Sequence, residues 1–397
     1  MNQNSMDYGS PEDSGDGLFD RASVVEALLA PPDSLEHSLI NARLARQDSY
    51  AMIEMYQTGL AFRQPHIIQE LTLKIIATTG EDGLGRAEAS SAVQGHTNVQ
   101  AYDTIHRSKK GFLGIDNKYN IRENVVIVPF GLEKTVSYGG GTSKGPKEII
   151  KASHQVELFD EDLSKEPYKH IGIKTLAPFA IKKNIIDALK QIENINKLIL
   201  NKKKFPLVLG GEHSLTPGAI RPFIKKFGKI CLLHFDAHAD LRNSYNNNKF
   251  SHASAIRRCL DDPNVSVVSF GIRNISSTEI SFLKKNKNRI KIFWAKDKSE
   301  WNLSEFKKII RNKKLYLTFD VDGLDSSLMP ATGTPEPGGL FWDETIKIIK
   351  TAAKFSQIVG ADINELSPIK GFDCYNFLVA KLAYKIISYS FEYKKFK

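Results

Sequence analysis

The run Cys231-Leu232-Leu233-His234-Phe235-Asp236-Ala237-His238-Ala239-Asp240 joins a short apolar segment directly to three side chains able to ligate a metal. Residues 231–235 have the length and composition of a strand buried on both faces. Side chains at every second position of an extended segment share one side, so Asp236, His238 and Asp240 can converge on a common point. The same order of events recurs twice. Pro206–Leu209 runs into Gly210-Gly211-Glu212-His213-Ser214, and Leu315–Phe319 runs into Asp320-Val321-Asp322.

Outward from these three runs, short apolar segments alternate with amphipathic helical patterns from about Asn124 onward. Strands are expected at Val125–Val128, Leu207–Leu209, Cys231–Phe235, Val265–Phe270, Lys291–Trp294, Leu315–Phe319 and Ile358–Ala361. Helices are expected near 144–152, 181–200, 217–226, 253–260, 277–285, 303–311, 343–354 and 374–388. Such alternation implies an α/β protein with three layers, a mostly parallel sheet covered by helices on both faces. In sheets of that kind ligands bind beyond the carboxyl ends of the strands, where the three polar runs fall.

The preceding segment is different material. Residues 1–108 carry 7 Lys and Arg against 15 Asp and Glu, and the remaining chain carries 48 against 30. Lys74 is the only lysine before Lys109. We therefore expect an N-terminal segment, 1–108, and a catalytic domain, 109–397. The first 20 residues, rich in Gly, Ser and Asp, are expected to be disordered, with two helices following, one over 34–59 and one opening near Pro65. No uncharged apolar stretch reaches the roughly 20 residues of a bilayer span, and the N-terminus lacks the pattern of a secretory signal, so a cytoplasmic protein is expected. The cysteines, Cys231, Cys259 and Cys374, are too few and scattered for a disulfide framework and are expected to be buried.

Taken singly, each polar residue has an ordinary explanation: His213 a satisfied core histidine, Asp240 a helix cap, Asp322 a turn residue. Together, four carboxylates and two imidazoles at strand ends would repel and be costly to desolvate without a compensating cation. The set suits two cations about 3.5–4 Å apart with bridging aspartates. Its oxygen-rich character favours manganese or magnesium over a thiolate-type zinc site, and manganese is the expectation.

His213 in GGEHS, DAHAD at 236–240, FDVDGLD at 319–325 and PATGTPEPGG at 330–339 resemble the signatures of the ureohydrolase family, which includes arginase, agmatinase and related amidinohydrolases. The resemblance runs from about residue 120 to the C-terminus and implies an arginase-like fold with two manganese ions per subunit. It implies that His213, Asp236, Asp240 and Asp320 hold one ion and that Asp236, His238, Asp320 and Asp322 hold the other. It also implies that His252, in Ser251-His252-Ala253-Ser254, moves protons at the mouth of the site. Glu365 would hold the substrate guanidinium, and Thr334 would lie in the substrate-facing loop. Ser137-Tyr138-Gly139 and Gly145-Pro146 resemble the family motif that marks where the domain begins. Members assemble as trimers or hexamers, so a homo-oligomer is expected.

The chemistry agrees with the residue types. A guanidinium is a poor electrophile and neutral water a poor nucleophile, so hydrolysis calls for a metal-generated hydroxide and a carboxylate that fixes the flat cation. An amine must then leave with a proton, a role for Asp240 relayed by His252. The loop Leu241–Ala253, with its DLR opening, Tyr245, Lys249-Phe250-Ser251-His252 and the following Arg257-Arg258, resembles agmatinases rather than arginases. Agmatine, giving putrescine and urea, is the first expectation, with arginase or guanidinobutyrase activity as the alternative. Arg257 and Arg258 are expected on an exposed helix face rather than against substrate. The sequence departs from the family at Leu366-Ser367-Pro368, Lys144 and Ser326, which touches substrate fit and no metal ligand.

Two other readings are weaker. A nucleic-acid phosphodiesterase would use two cations and a basic body, but the lysines lie on helical faces without an aromatic stacking platform. A non-catalytic scaffold would be expected to have lost ligands, and none is missing. The expected partner is a small guanidino substrate, with no nucleic acid and no membrane.

Overall fold

A computed structural model of the chain describes residues 111–115 and 123–393. The two helices expected within 1–108 lie outside these residues. Eight strands form one sheet: β1 (Glu123–Phe130), β2 (Gly172–Thr175), β3 (Phe205–Gly210), β4 (Ile230–Phe235), β5 (Val265–Phe270), β6 (Ile290–Phe293), β7 (Lys314–Asp320) and β8 (Gln357–Asn364). Their order is β2-β1-β3-β8-β7-β4-β5-β6, and every neighbouring pair is parallel. The expected sheet is thus present and wholly parallel among its named strands. One strand, β2, went unread: Gly172-Ile173-Lys174-Thr175 is a four-residue edge strand with a lysine in it, too short to carry a periodic signal.

Among the described residues, eight α-helices flank the sheet: α1 (Gly145–Ser153), α2 (Ile185–Asn201), α3 (Thr216–Phe227), α4 (Ala255–Cys259), α5 (Ser277–Lys285), α6 (Leu303–Ile310), α7 (Trp342–Phe355) and α8 (Asp373–Glu392). The alternation along β1 shows how the layers arise. Val125 and Ile127 join a core shared with α1, α6, α7 and α8, whereas Val126 and Val128 join one shared with α2, α3 and α4. Both faces of the central strands are therefore sealed, and β3 and β4 are buried at every position.

Helix boundaries differ from the sequence reading for local reasons. The helix expected from 181 begins at Ile185, because the Asn184 side chain accepts from the Ile186 N–H at 2.8 Å and caps it there. The one expected over 253–260 is a 3-10 turn at His252–Ser254 followed by the short α4. Arg258 is buried rather than on an exposed face, paired with Asp261 at 3.1 Å, while the Arg257 guanidinium lies over the Phe282 ring, 3.5 Å from its centroid. Cys231 and Cys259 are buried as expected, but Cys374, in the first turn of α8, is exposed. Among the described residues, no helix is long and apolar enough to cross a membrane.

Candidate metal centre

The four central strands, β3, β8, β7 and β4, end side by side, and the loops that leave them carry the polar runs. After β3 the chain must turn against neighbouring backbone. A Cβ on Gly211 would stand 2.0 Å from the Leu132 carbonyl oxygen, and one on Gly210 would stand 2.0 Å from Asn364 Oδ1. Only the two glycines let the chain pass and bring His213 over the sheet end. After β4 the strand ends at Phe235, and the chain bends at Ala237, touches Asn274 through an isolated parallel bridge at His238 and turns left-handed at Asp240, so loop geometry rather than continuous strand alternation brings the three side chains together. Asp240 and Glu365 both adopt left-handed backbone, φ 52° and 67°, a conformation that non-glycine residues hold mainly where the surrounding structure compels it.

His213 is the centre of the arrangement. Its Nδ1 lies 3.1 Å from Asp236 Oδ2, 3.3 Å from Asp240 Oδ2 and 3.4 Å from Asp320 Oδ2. All four residues are buried. Despite these distances Nδ1 makes no aligned hydrogen bond and is an orphaned buried polar atom. Its other nitrogen is occupied: Nε2 is 2.8 Å from Thr318 Oγ1, and that hydroxyl donates to Asp362 Oδ1 at 2.6 Å. With the threonine proton committed to Asp362, Nε2 must be the donor toward Thr318. In its neutral form, the form a cation needs, the ring presents the lone pair of Nδ1 to the point where three carboxylate oxygens converge.

A second cluster lies beside the first. His238 Nδ1 is 3.0 Å from Asp322 Oδ2 and 3.6 Å from Asp236 Oδ1. Asp236 thus turns one oxygen to His213 and the other to His238, the disposition of a bridging carboxylate. Asp236, His238 and Asp322 form one group of potential ligands, and His213, His234 and Asp236 another. Backbone amides tighten both, with Ala237 N donating to Asp322 Oδ1 at 2.9 Å and Asp322 N donating to Asp320 Oδ1 at 3.0 Å.

The ionisation states carry the mark of a site made for cations. Burial would lower the His213 imidazole, but pairing with Asp236, Asp240 and Asp320 raises it well above its ordinary value. Burial opposes His238 too, yet the charges of Asp322 and Asp236 push it up to about 12. Burial and the charge of Asp236 lift Asp240 to about 7, and burial with Asp322 and Asp236 lifts Asp320 well above the carboxylate range. Against its own desolvation, Asp236 is held well below that range by His213, His234 and His238. Protons thus occupy positions where bound cations would relieve carboxylate repulsion, and the donor set fits a pair of divalent metals.

The remaining expected residues surround the same cavity of about 250 Å³. Glu365, Thr334 and His252 all line it. Glu365 Oε1 accepts from the His213 backbone N–H at 2.6 Å, and burial followed by the charge of Glu212 raises its carboxyl well above the usual range. Burial lowers the His252 imidazole, opposed by the charge of Glu212. Arg257 and Arg258 are not among the lining residues.

Sequence reasoning missed a supporting layer. His234 is fully buried, with Nε2 2.9 Å from Asp236 Oδ2 and Nδ1 3.0 Å from Ser269 Oγ. Thr318 and Asp362 are equally buried. A signal existed for His234, which shares the alternation of 236 and 238, but it sits inside an apolar strand and reads as part of it.

The arginase-family profile matches residues 123–388. The chain belongs to the arginase family. Among its relatives, N(1)-aminopropylagmatine ureohydrolase of Synechocystis sp. is 34% identical over 275 residues, covering 67% of this chain and 88% of that protein. Guanidinobutyrase of Pseudomonas aeruginosa is 31% identical over 253 residues, covering 62% and 79% respectively. The crystal structure of agmatine ureohydrolase of Thermoplasma volcanium superposes with a TM-score of 0.63 at 27% identity, covering 75% of this chain and 99% of that one. Membership accounts for the sheet order and for the clustering of acids and histidines at its centre.

Proposed function

We propose that residues 109–397 are a catalytic domain that hydrolyses a guanidino compound to urea and a primary amine, with agmatine the first substrate. The observation that carries the reading is the orphaned Nδ1 of His213 facing three carboxylate oxygens in a buried site. In this reading His213, Asp236, Asp240 and Asp320 hold one manganese ion, and Asp236, His238, Asp320 and Asp322 hold the other. Bound there, the two cations would supply a hydroxide nucleophile at neutral pH.

The chain's own residues do the rest. Glu365, on the cavity wall, receives the flat guanidinium and fixes it for attack on its central carbon. Thr334 borders the substrate on the opposite loop. As the tetrahedral species collapses, Asp240 would take up the proton that the attacking hydroxide brought and pass it to the departing amine, and His252 at the mouth exchanges protons with solvent. The cavity narrows the choice of tail. Glu336 lines the wall with its Oε1 held by Asn274 Nδ2 at 2.7 Å and its backbone carbonyl held by Arg273 at 2.8 Å, offering a fixed carboxylate to a terminal amine. Arg242, 5.1 Å from the centroid of the Tyr245 ring, is the feature that favours a carboxylate tail such as that of guanidinobutyrate.

The test is a urea-release screen of manganese-incubated full-length protein against agmatine, aminopropylagmatine, guanidinobutyrate and arginine. Preference for a cationic tail supports the reading. Urea from none of them, by protein that has retained metal, defeats it.

A further inference from the structure

Glu212 precedes His213 but turns away from the metal cluster, and the cluster does not explain why a fully buried carboxylate stands there. Its four partners do. Oε2 accepts from the backbone N–H groups of Lys134 at 2.7 Å and Thr135 at 2.6 Å, while Oε1 accepts from the hydroxyls of Thr135 at 3.1 Å and Ser214. The carboxylate thus clamps the loop that follows β1 against the start of α3, and it takes the proton of the Thr135 hydroxyl.

That hydroxyl touches His252 twice. Thr135 Oγ1 accepts from the His252 backbone N–H at 3.0 Å and lies 3.2 Å from His252 Nδ1. A hydroxyl has one proton and two lone pairs. The proton goes to Glu212 and one lone pair to the His252 backbone, so the remaining lone pair can only accept. Toward this nearer partner His252 Nδ1 then carries the hydrogen, with Ser251 Oγ farther off at 3.5 Å, and the lone pair of the neutral ring falls to Nε2. That nitrogen sits 3.4 Å from Ser137 Oγ, a residue of the cavity wall, and the ring is held edge-on to Tyr245 with centroids 5.9 Å apart.

We propose that Glu212 and Thr135 are positioning residues that fix the orientation and tautomer of His252, so that Nε2 alone exchanges protons with the cavity. The inference rests on the reading of His252 as the residue that moves protons at the mouth. It gives Glu212 a task separate from metal binding and couples the loop after β1 to the chemistry.

The test uses manganese-incubated full-length protein carrying Thr135→Val, which keeps shape and removes the hydroxyl, and Thr135→Ser, which restores it. Loss of one hydrogen-bond preference for the Nδ1–H tautomer is expected to lower kcat roughly five- to tenfold with little change in KM, and serine is expected to recover most of the loss. In a His252→Asn background the valine substitution is expected to have no further effect, because the two residues act as one unit. An equal loss in both backgrounds overturns the proposal. If His252→Asn leaves urea release unchanged, the assignment of His252 is what fails, and carbethoxylation of His252, followed by peptide mass, still decides the tautomer. Labelling by diethyl pyrocarbonate is expected to slow in Thr135→Val by a similar factor and to recover in Thr135→Ser, whereas equal labelling in all three proteins overturns the proposal.

Discussion

Replacing Thr318 by valine would probe the deepest part of the candidate metal centre without touching a proposed ligand. The hydroxyl accepts from His213 Nε2 at 2.8 Å and donates to Asp362 Oδ1 at 2.6 Å, and both residues are buried. Valine preserves the volume and removes both bonds, together with the 3.3 Å contact to Thr216 Oγ1. His213 Nε2–H then has no acceptor in a site closed to water, which costs about 1–3 kcal/mol. Part of that cost is avoided if the ring shifts its proton to Nδ1, but the lone pair that should face the three carboxylates is then lost. Either route penalises metal binding. Loss of a histidine's supporting partner lowers metal affinity by about 10–100-fold, equivalent to about 1.4–2.7 kcal/mol, so the two estimates agree. Manganese affinity measured by calorimetry at pH 8 should therefore fall by one to two decades in Thr318→Val and recover in Thr318→Ser. An unchanged affinity in the valine variant would refute the argument that this hydroxyl sets the His213 tautomer.

Metal affinity should depend on pH through the same cluster. In the metal-free chain Asp240 keeps its proton up to about pH 7, because burial and the charge of Asp236 raise it from 3.8. A raised carboxyl contributes stability that is complete below its unfolded value and is lost as pH rises through the folded one. The metal-free fold therefore weakens between about pH 4 and 7 on account of this group, while cation binding, which displaces the proton, strengthens. His213 and His238 act in the same sense toward the metal, since both are raised and must give up protons to bind it. The rise in Tm on adding manganese should accordingly be larger at pH 8 than at pH 6, and an equal rise at both would contradict it. Gly211→Ala should destabilise the fold by more than about 1 kcal/mol and loosen the site, because the new methyl would meet the Leu132 carbonyl oxygen, a backbone atom that cannot swing aside. Urea denaturation with metal content measured in parallel would check both effects.

The sequence made the centre legible because three polar runs each followed an apolar strand. Asp236, His238 and Asp240 do meet, but through a bend at Ala237 and a left-handed Asp240 that alternation does not foresee, and parallel topology brings Asp320 and Asp322 beside them. What stayed hidden was interior support. His234, Thr318 and Asp362 lie within apolar strands, where a single polar residue is ordinarily a tolerated exception, and their roles depend on neighbours from other strands that sequence does not name. The four-residue β2 and the Asn184 cap were missed for a local reason, since neither spans enough residues to shift a periodic pattern. Arg258 was read by type, as charged and therefore exposed, whereas Asp261 and Asn243 give it partners that permit burial.

The position of β8 has a consequence for how the protein is made. It is the last strand of the sheet in chain order, yet it lies between β3 and β7 and is hydrogen-bonded to both. Until residues 357–364 leave the ribosome the sheet exists as two unjoined halves of three and four strands, with His213 on one and Asp236 and Asp320 on the other. Each half exposes a raw edge, and the pairing of β3 with β8, Leu207 opposite Ala361, joins segments far apart along the polypeptide, which makes its formation slow. His213 therefore joins Asp236, Asp240 and Asp320 only once β8 bridges the two halves, whereas Asp236, His238, Asp320 and Asp322 already share the four-strand half. A nascent chain stalled short of β8 would present two sticky margins that invite capture by chaperones.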